Sequence, residues 1–281
     1  MRFGVSLFDG SPKAVREVVA VCRGAGIDTV LCADHLGMAA PFSTLAYAAA
    51  IDPDIALATF VLNQDFWNPV LVAREAATLA TLCEGRFTLG VGAGHMRHEN
   101  ERAGLTFDAN PVRAAKLRPW LDAVRSELSV LGHRGLPILV GGNGRPVLTL
   151  GGEIATSVGL VGFTHVDGGK SIDGRWFTWS GIGSRIAIVG EAAAGMRRAV
   201  PALNVLVQAV VITDDRHASA EKWADRIPPE LLLDSPFFLI GTEAEIVAQI
   251  HRAETELGIS SFVAFSTMLD PWAQIVQAAS G

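Results

Sequence analysis

Lysine is scarce in this chain of 281 residues, which contains only four: Lys13, Lys116, Lys170 and Lys222. Three of them fall in helical patterns, and Lys170 lies in a glycine-rich loop, so none is placed on a strand. A Schiff-base enzyme needs a lysine that is desolvated in an apolar pocket. The number and placement of the lysines therefore argue against that chemistry.

Net positive charge, paired cysteines and long apolar runs are also missing. The formal net charge is −6, whereas nucleic acids select basic surfaces. Cys22, Cys32 and Cys83 are odd in number and lack metal-ligand spacing, so we expect buried, reduced thiols. The apolar stretch 199–213 is too short to span a bilayer. The charged residue Asp9 comes too early in the sequence for the apolar core of a signal peptide to precede it. We expect a cytoplasmic protein with no nucleic-acid or membrane partner.

Strand-like and helix-like patterns alternate along the whole chain, with no linker or low-complexity segment between them. The predicted strands cover residues 2–8, 28–33, 55–61, a glycine-rich stretch from residue 86, 137–140, 155–160, 204–213 and 259–266. Parallel strands need such helical crossovers, and the length suits one barrel. We predict an α/β fold, a single-domain (β/α)8 TIM barrel over residues 1–281, with a loop insertion after strand six.

The glycine-rich stretch, residues 86–95, has two different faces when read as a strand. Phe87, Leu89, Val91 and Ala93 form an apolar face that is suited to packing under a helix, whereas Thr88, Gly90 and Gly92 form the other. Glycine weakens a strand by about 0.5–1 kcal/mol relative to alanine. Repeated glycines on one face therefore favour close approach of something flat to the backbone. A tight strand-to-helix turn without a ligand is the alternative.

Three motifs together resemble the luciferase-like monooxygenase family, over residues 2 to about 266. The first begins with Asn68-Pro69 and continues into Gly85-Arg-Phe-Thr-Leu-Gly-Val-Gly-Ala-Gly94. The others, Asp34-His35-Leu36 and Val140-Gly-Gly-Asn-Gly144, match the branch that uses the deazaflavin coenzyme F420. The resemblance implies an eight-stranded barrel that holds F420 or a flavin. It also implies a non-proline cis peptide within residues 59–61.

Barrel active sites lie at the carboxyl ends of the strands, and the resemblance places the cofactor there. His35 is expected to face the reacting ring and to donate or accept a proton, with Asp9 as a second catalytic candidate. The expected cofactor-binding residues are Asp34, His35, Thr59, Phe60, Val61, Gly92, Ala93, Gly94, His95, Gly141, Gly142, Asn143 and Gly144. Asp34 and His35 are adjacent on an extended segment, so their side chains should diverge; a surface loop is the alternative.

The turn at residues 141–144 follows a strand and precedes a helix, where free backbone amides attract phosphate. F420 carries a phosphate, and Arg145, Lys170 and Arg175 are available for its polyanionic tail; an ordinary turn with solvated arginines is the alternative. The aromatic segment 163–179 is either a lid over an apolar pocket or a packed loop.

His95 departs from the family pattern, because some F420-dependent sugar dehydrogenases carry glutamate there. The departure puts a sugar-phosphate substrate in doubt. His95 and His98 have a spacing that could suit a metal, but no third ligand is evident, so we predict no metal. Glu99 and Glu101 are expected to be solvated helix residues.

The favoured function is therefore transfer of a hydride between F420 and an unidentified organic substrate. One alternative is an FMN-dependent monooxygenase of the same family. The other is a non-catalytic protein that stores or carries a flavin or deazaflavin. We also expect a homodimer and a small-molecule substrate.

Overall fold

A computed structural model of the chain describes residues 1–162, 165–166, 171–172, 177–225 and 227–280. Its strands are β1 (Arg2–Leu7), β2 (Thr29–Cys32), β3 (Ala56–Thr59), β4 (Leu62–Asn63), β5 (Phe87–Gly92), β6 (Ile138–Gly141), β7 (Ser157–Val161), β8 (His165–Val166), β9 (Ser171–Ile172), β10 (Ala202–Leu206), β11 (Ala209–Ile212), β12 (Phe238–Gly241) and β13 (Ile259–Phe265). Its α-helices are α1 (Pro12–Ala25), α2 (Pro41–Ile51), α3 (Pro69–Leu82), α4 (Arg97–Arg102), α5 (Asn110–Val130), α6 (Arg145–Ile154), α7 (Trp179–Gly195), α8 (Arg216–Ala220), α9 (Pro229–Leu233), α10 (Glu243–Leu257) and α11 (Leu269–Ser280).

The main sheet is parallel and closes on itself. Its strands follow the order β3-β2-β1-β13-β10-β7-β6-β5, and β5 pairs again with β3. β4 pairs with β5 just beyond β3, so β3 and β4 are two halves of one interrupted strand. Counting that pair once gives eight barrel strands. The predicted TIM barrel is confirmed.

Helix boundaries follow local signals in the sequence. Ser11 caps α1 by accepting a hydrogen bond from the amide of Ala14, and Pro12 occupies the first turn. Thr242 and Glu245 form a reciprocal capping box at the start of α10. In the described ranges, no helix is both long enough and apolar enough to cross a membrane.

The hydrophobic core has two layers. The larger layer lies between the strands and the surrounding helices and includes Phe87, Leu89 and Val91 of β5, which confirms the predicted apolar face of that strand. The smaller layer fills the barrel interior and consists of Leu31, Ala58, Phe60, Leu139 and Val263. Inward-facing side chains make such a barrel a packed core rather than a pore. A ligand therefore has to bind at the mouth.

Several predicted elements need correction. The predicted strand 204–213 is two strands: β10 stays in the barrel, whereas β11 leaves it and pairs with β12, which the sequence did not predict. The break comes where the amide of Val207 still bonds to Val263 but the amide of Gln208 bonds to Phe237. The helix that precedes β10 is α7, which begins at Trp179 because Thr178 caps it by accepting from the amide of Gly181. The helix α11 was also missed.

The segment 163–179 falls largely outside the described residues. The structure describes β8 and β9 as an antiparallel pair and shows Phe177 buried. The choice between a lid and a packed loop concerns residues 163–164, 167–170 and 173–176, which lie outside the described residues.

Candidate active site

The interrupted third strand lies at the mouth of the barrel. The Phe60–Val61 peptide bond is cis, which confirms the predicted non-proline cis peptide. Just before it, the buried hydroxyl of Thr59 donates to the Gly90 carbonyl and accepts from the Gly90 amide, both at 2.8 Å. The hydroxyl therefore joins β3 to β5 where the regular ladder stops. These two hydrogen bonds give Thr59 a structural role and occupy its hydroxyl group both as a donor and as an acceptor.

The glycine face of β5 makes room for this neighbouring strand. A Cβ atom added to Gly90 would overlap the carbonyl oxygen of Thr59, and one on Gly92 would lie 2.8 Å from Cγ2 of Val61. A Cβ atom on Gly94, whose φ is 71°, would likewise overlap the side chain of Asn63. The neighbouring strand is therefore enough to require these glycines, and the close approach of a flat ligand stays a prediction. The glycines accommodate the interrupted strand.

Phe60 and Val61 close the barrel interior from above. The Phe60 ring belongs to the inner core and would meet a Cβ on Gly159 at 2.8 Å. Val61 is half-buried, and its methyl groups lie against Gly92 and Gly141, at 2.8 Å from the Cβ position of each. Val61 thus forms an apolar floor at the mouth, whereas Ala93 packs on the outer core.

His35 follows β2 and is held by Glu99 of α4. Its Nδ1 lies 3.0 Å from Oε1 and 3.1 Å from Oε2 of Glu99. Glu99 is only 7% exposed, so the prediction of a solvated helix residue is wrong. Glu101, two residues later, is exposed as predicted. The ring of His95 packs edge-to-face on His35, with centroids 5.4 Å apart.

Asn100 fixes the short helix that carries Glu99. Its side chain is fully buried, accepts from Nδ2 of Asn63 at 3.2 Å and donates to the Asp65 carboxylate at 3.1 Å. Satisfied buried polar groups of this kind hold their elements in place. Through Asn100, the position of Glu99 is therefore tied to the interrupted strand.

Asp34 points away from His35, as predicted. Its Oδ2 accepts from the amide of Asn63 at 3.0 Å and from the indole of Trp67 at 2.8 Å. Burial raises the pKa of Asp34 above its usual range, although these two hydrogen bonds oppose the shift. Asp34 thus anchors the strand beyond the cis peptide. Its contact with a cofactor stays a prediction.

The turn at residues 141–144 leads into α6, whose N-terminus has no side-chain cap. Nη1 of Arg185 on α7 donates to Oδ1 of Asn143 in this turn and, at 2.9 Å, to the carbonyl of Val161. Burial lowers the pKa of Arg185 to about 10, so the side chain is still cationic at neutral pH. An uncapped helix start beside a buried cation suits an anion.

Sequence analysis missed Arg185, whose available signal was one arginine inside the largely apolar stretch 181–190. Of the basic residues proposed for the tail, Arg145 is exposed and lies 4.0 Å from Glu191. Lys170 and Arg175 lie outside the described residues. Among the described residues, no group of three or more potential ligands could hold a metal ion.

A family model described as luciferase-like monooxygenase matches residues 1–236, most of the chain. The chain belongs to the luciferase-like monooxygenase family. The family expected from the three motifs is therefore confirmed.

Two curated relatives of this luciferase-like protein are F420-dependent glucose-6-phosphate dehydrogenases. The one from Kribbella flavida is 32% identical over 124 residues, which are 41% of this chain and 37% of the relative. The one from Mycobacterium avium is 36% identical over 99 residues, which are 32% of this chain and 29% of the relative. The chain thus spans about a third of the length of the curated relatives it matches.

Among solved structures, the coenzyme F420-dependent tetrahydromethanopterin reductase from Methanopyrus kandleri has the same architecture. The two structures align with a TM-score of 0.78 and 17% identity, covering 98% of this chain and 97% of that one. At this identity, the likeness shows the fold alone.

Asp9 of this luciferase-like protein lies after β1. Its carboxylate is exposed and accepts from the amide and the hydroxyl of Ser11 at 2.8 and 3.1 Å. Since Ser11 caps α1, these bonds give Asp9 a local role at the helix start. Its catalytic role stays a prediction.

Proposed function

We propose that this luciferase-like protein is an oxidoreductase that moves a hydride between coenzyme F420 and a small organic substrate. The observation that carries the proposal is the placement of His35. This histidine ends a barrel strand and has a buried carboxylate, Glu99, at 3.0 Å. Both curated relatives named above are F420-dependent enzymes by name, which supports the choice of cofactor.

The described residues fit such a cofactor. The half-buried Val61 supplies an apolar surface on which a ring can lie. The uncapped start of α6, with Arg185 buried behind Asn143, supplies a site for a phosphate. When bound, F420 supplies the hydride chemistry, and the protein supplies position and electrostatics.

The chain's own groups then have separate tasks. His35 takes up or releases the substrate proton, since histidine changes charge near neutral pH. The amides at the start of α6 bind the anionic part of the cofactor, and the buried charge of Arg185 attracts it from behind Asn143. Phe60 and the inner core beneath Val61 exclude water from below the site.

Titration of the apoprotein with F420 and, separately, with FMN tests the cofactor assignment. We expect saturable F420 binding that quenches its fluorescence, and weaker FMN binding. Tight FMN binding without detectable F420 binding would transfer the assignment to the FMN-dependent monooxygenase.

Hydride exchange separates an enzyme from a carrier protein. The protein should be expressed in a host that makes F420, and the copurified ligand identified by absorbance and mass spectrometry. Reduction of the bound cofactor by candidate substrates is expected for an enzyme. Binding with no such reduction would favour the non-catalytic carrier.

The single-domain organisation, cytoplasmic location and homodimer stay proposals. Sedimentation equilibrium measures the subunit number, and limited proteolysis reports whether the chain is cleaved between independently stable parts.

A further inference from the structure

We propose that Glu99 is a positioning residue that fixes His35 in one tautomer. The tautomer carries hydrogen on Nδ1 and leaves the lone pair of Nε2 free to accept a proton. The catalytic use of that lone pair rests on the proposed hydride-transfer function, whereas the tautomer does not.

The tautomer follows from the geometry of the pair. Both carboxylate oxygens of Glu99 lie within hydrogen-bond distance of the same nitrogen, at 3.0 and 3.1 Å from Nδ1. An ionised carboxylate can only accept hydrogen bonds, so Nδ1 must be the donor. In a neutral imidazole the other nitrogen, Nε2, is then an acceptor.

The surroundings hold this arrangement in place. The side chain of Glu99 is 9% exposed and that of His35 is 31% exposed, so the carboxylate is shielded while the ring reaches the mouth. Asn100 anchors α4 by bonding to Asn63 and Asp65. The edge-to-face contact with His95 restrains the His35 ring further. Glu99 therefore meets the ring from a fixed direction.

The pairing also supports the proton transfer assigned to His35. A proton taken up at Nε2 gives an imidazolium that lies against the Glu99 carboxylate, in a charge-assisted hydrogen bond that stabilises it. When the imidazolium returns the proton, the neutral tautomer with hydrogen on Nδ1 is restored.

Nitrogen-15 NMR of the histidine rings tests the tautomer without cofactor or substrate. Spectra of the labelled apoprotein are recorded at about pH 8.5, above the reference histidine pKa of about 6.5. A His35→Gln spectrum assigns the His35 signals among the seven histidines. We expect His35 to carry its proton on Nδ1. A wild-type spectrum with the proton on Nε2 would overturn the proposal.

Glu99→Gln reverses the donor and the acceptor of the hydrogen bond between residue 99 and Nδ1 of His35. The amide NH2 of glutamine can donate to Nδ1, so we expect the proton of His35 to move to Nε2, as in the wrong-tautomer variants of catalytic triads. The matched control is Glu101→Gln on the same helix, because Glu101 contacts Arg97 rather than His35. The control should leave the His35 spectrum unchanged. An unchanged tautomer in Glu99→Gln would refute the positioning role, and if that variant does not fold, the wild-type spectrum still decides.

Discussion

At the scale of single residues, side chains replace the backbone contacts that the interrupted third strand has lost. Thr59 bonds to both polar groups of Gly90, and Asp34 bonds to the chain beyond the cis peptide. The family resemblance predicted the break, whereas the catalytic role of His35 stays a prediction. The sequence could not predict Glu99, because α4 contains only arginine, histidine, glutamate and asparagine. A helix without apolar residues gives no periodicity from which to choose its buried face.

Replacing Thr59 by valine should destabilise the fold although the shape of the side chain is kept. The substitution removes the hydroxyl and leaves polar groups of Gly90 unpaired in a buried position. We expect the free energy of unfolding in urea to fall by about 1–3 kcal/mol. Thr59→Ser is the control, since it retains the hydroxyl. Equal losses in the two variants would contradict this explanation.

Asp34→Asn should raise stability more at neutral pH than at acid pH. Burial raises the pKa of Asp34 in the folded protein, so the folded state holds the proton more tightly than the unfolded state does. The stabilising contribution of that group is complete below its ordinary pKa of about 3.9. It is lost as pH rises through the raised value.

The asparagine variant keeps an acceptor oxygen for Asn63 and Trp67 but does not ionise. Urea unfolding of both proteins at several pH values between about 4 and 7 measures the difference. We expect the stability of the variant relative to wild type to increase with pH. A difference that is constant or decreases with pH would rule out a raised pKa.

At the scale of elements, one arginine links α7 to the segments that begin α6 and end β7. Arg185 extends from α7 to the turn before α6 and to the end of β7. The predicted position of the turn at residues 141–144, between a strand and a helix, is confirmed, and its binding of phosphate stays a prediction. The arginine behind it could not be found, because the contact joins residues 42 positions apart. The strand β12 was missed for a related reason: a four-residue apolar run does not by periodicity distinguish a strand from a buried helix segment.

Arg185→Met should weaken binding of F420 by the apoprotein. The variant removes a buried cation whose hydrogen bond holds Asn143 in the proposed phosphate site, and hydrogen bonds involving charged groups contribute roughly 1.5–3 kcal/mol, which is about 10–100-fold in Kd. Fluorescence titration measures the effect.

The matched control for Arg185→Met is Arg198→Met. Arg198 also donates to backbone carbonyls, those of Gly152 and Ala155, but at the opposite end of α6. Circular dichroism should show both variants folded. If both variants weakened F420 binding equally, the cause would be a general loss of rigidity around α6 and not the loss of the Arg185 charge.

At the scale of the whole molecule, the barrel closes where β1 pairs with β13, and α11 covers that junction. Trp272 of α11 is fully buried, packs edge-to-face on Phe3 with ring centroids 5.6 Å apart, and donates to the carbonyl of Gly4 at 2.9 Å. The sequence predicted the barrel itself, because eight strand patterns separated by helical patterns allow few other folds. It did not predict α11 over this junction.

Trp272→Ala should be among the more damaging substitutions outside the site. Removing a buried aromatic side chain costs about 3–5 kcal/mol, and we expect the urea midpoint to fall accordingly. Trp272→Phe retains most of the volume but loses the hydrogen bond to Gly4, so a smaller loss of about 0.5–1.5 kcal/mol is expected. If the alanine variant were as stable as wild type, α11 would not secure the closure.

The glycine pattern of β5 has a consequence for how related sequences are interpreted. Since these glycines make room for Thr59, Val61 and Asn63, the shape of the neighbouring strand is enough to require them whether or not a ligand binds. A descendant that lost its cofactor but kept the interrupted strand would still keep all three glycines. Classification of such descendants as enzymes is therefore better based on His35 together with Glu99, which no packing requirement of the glycine strand preserves.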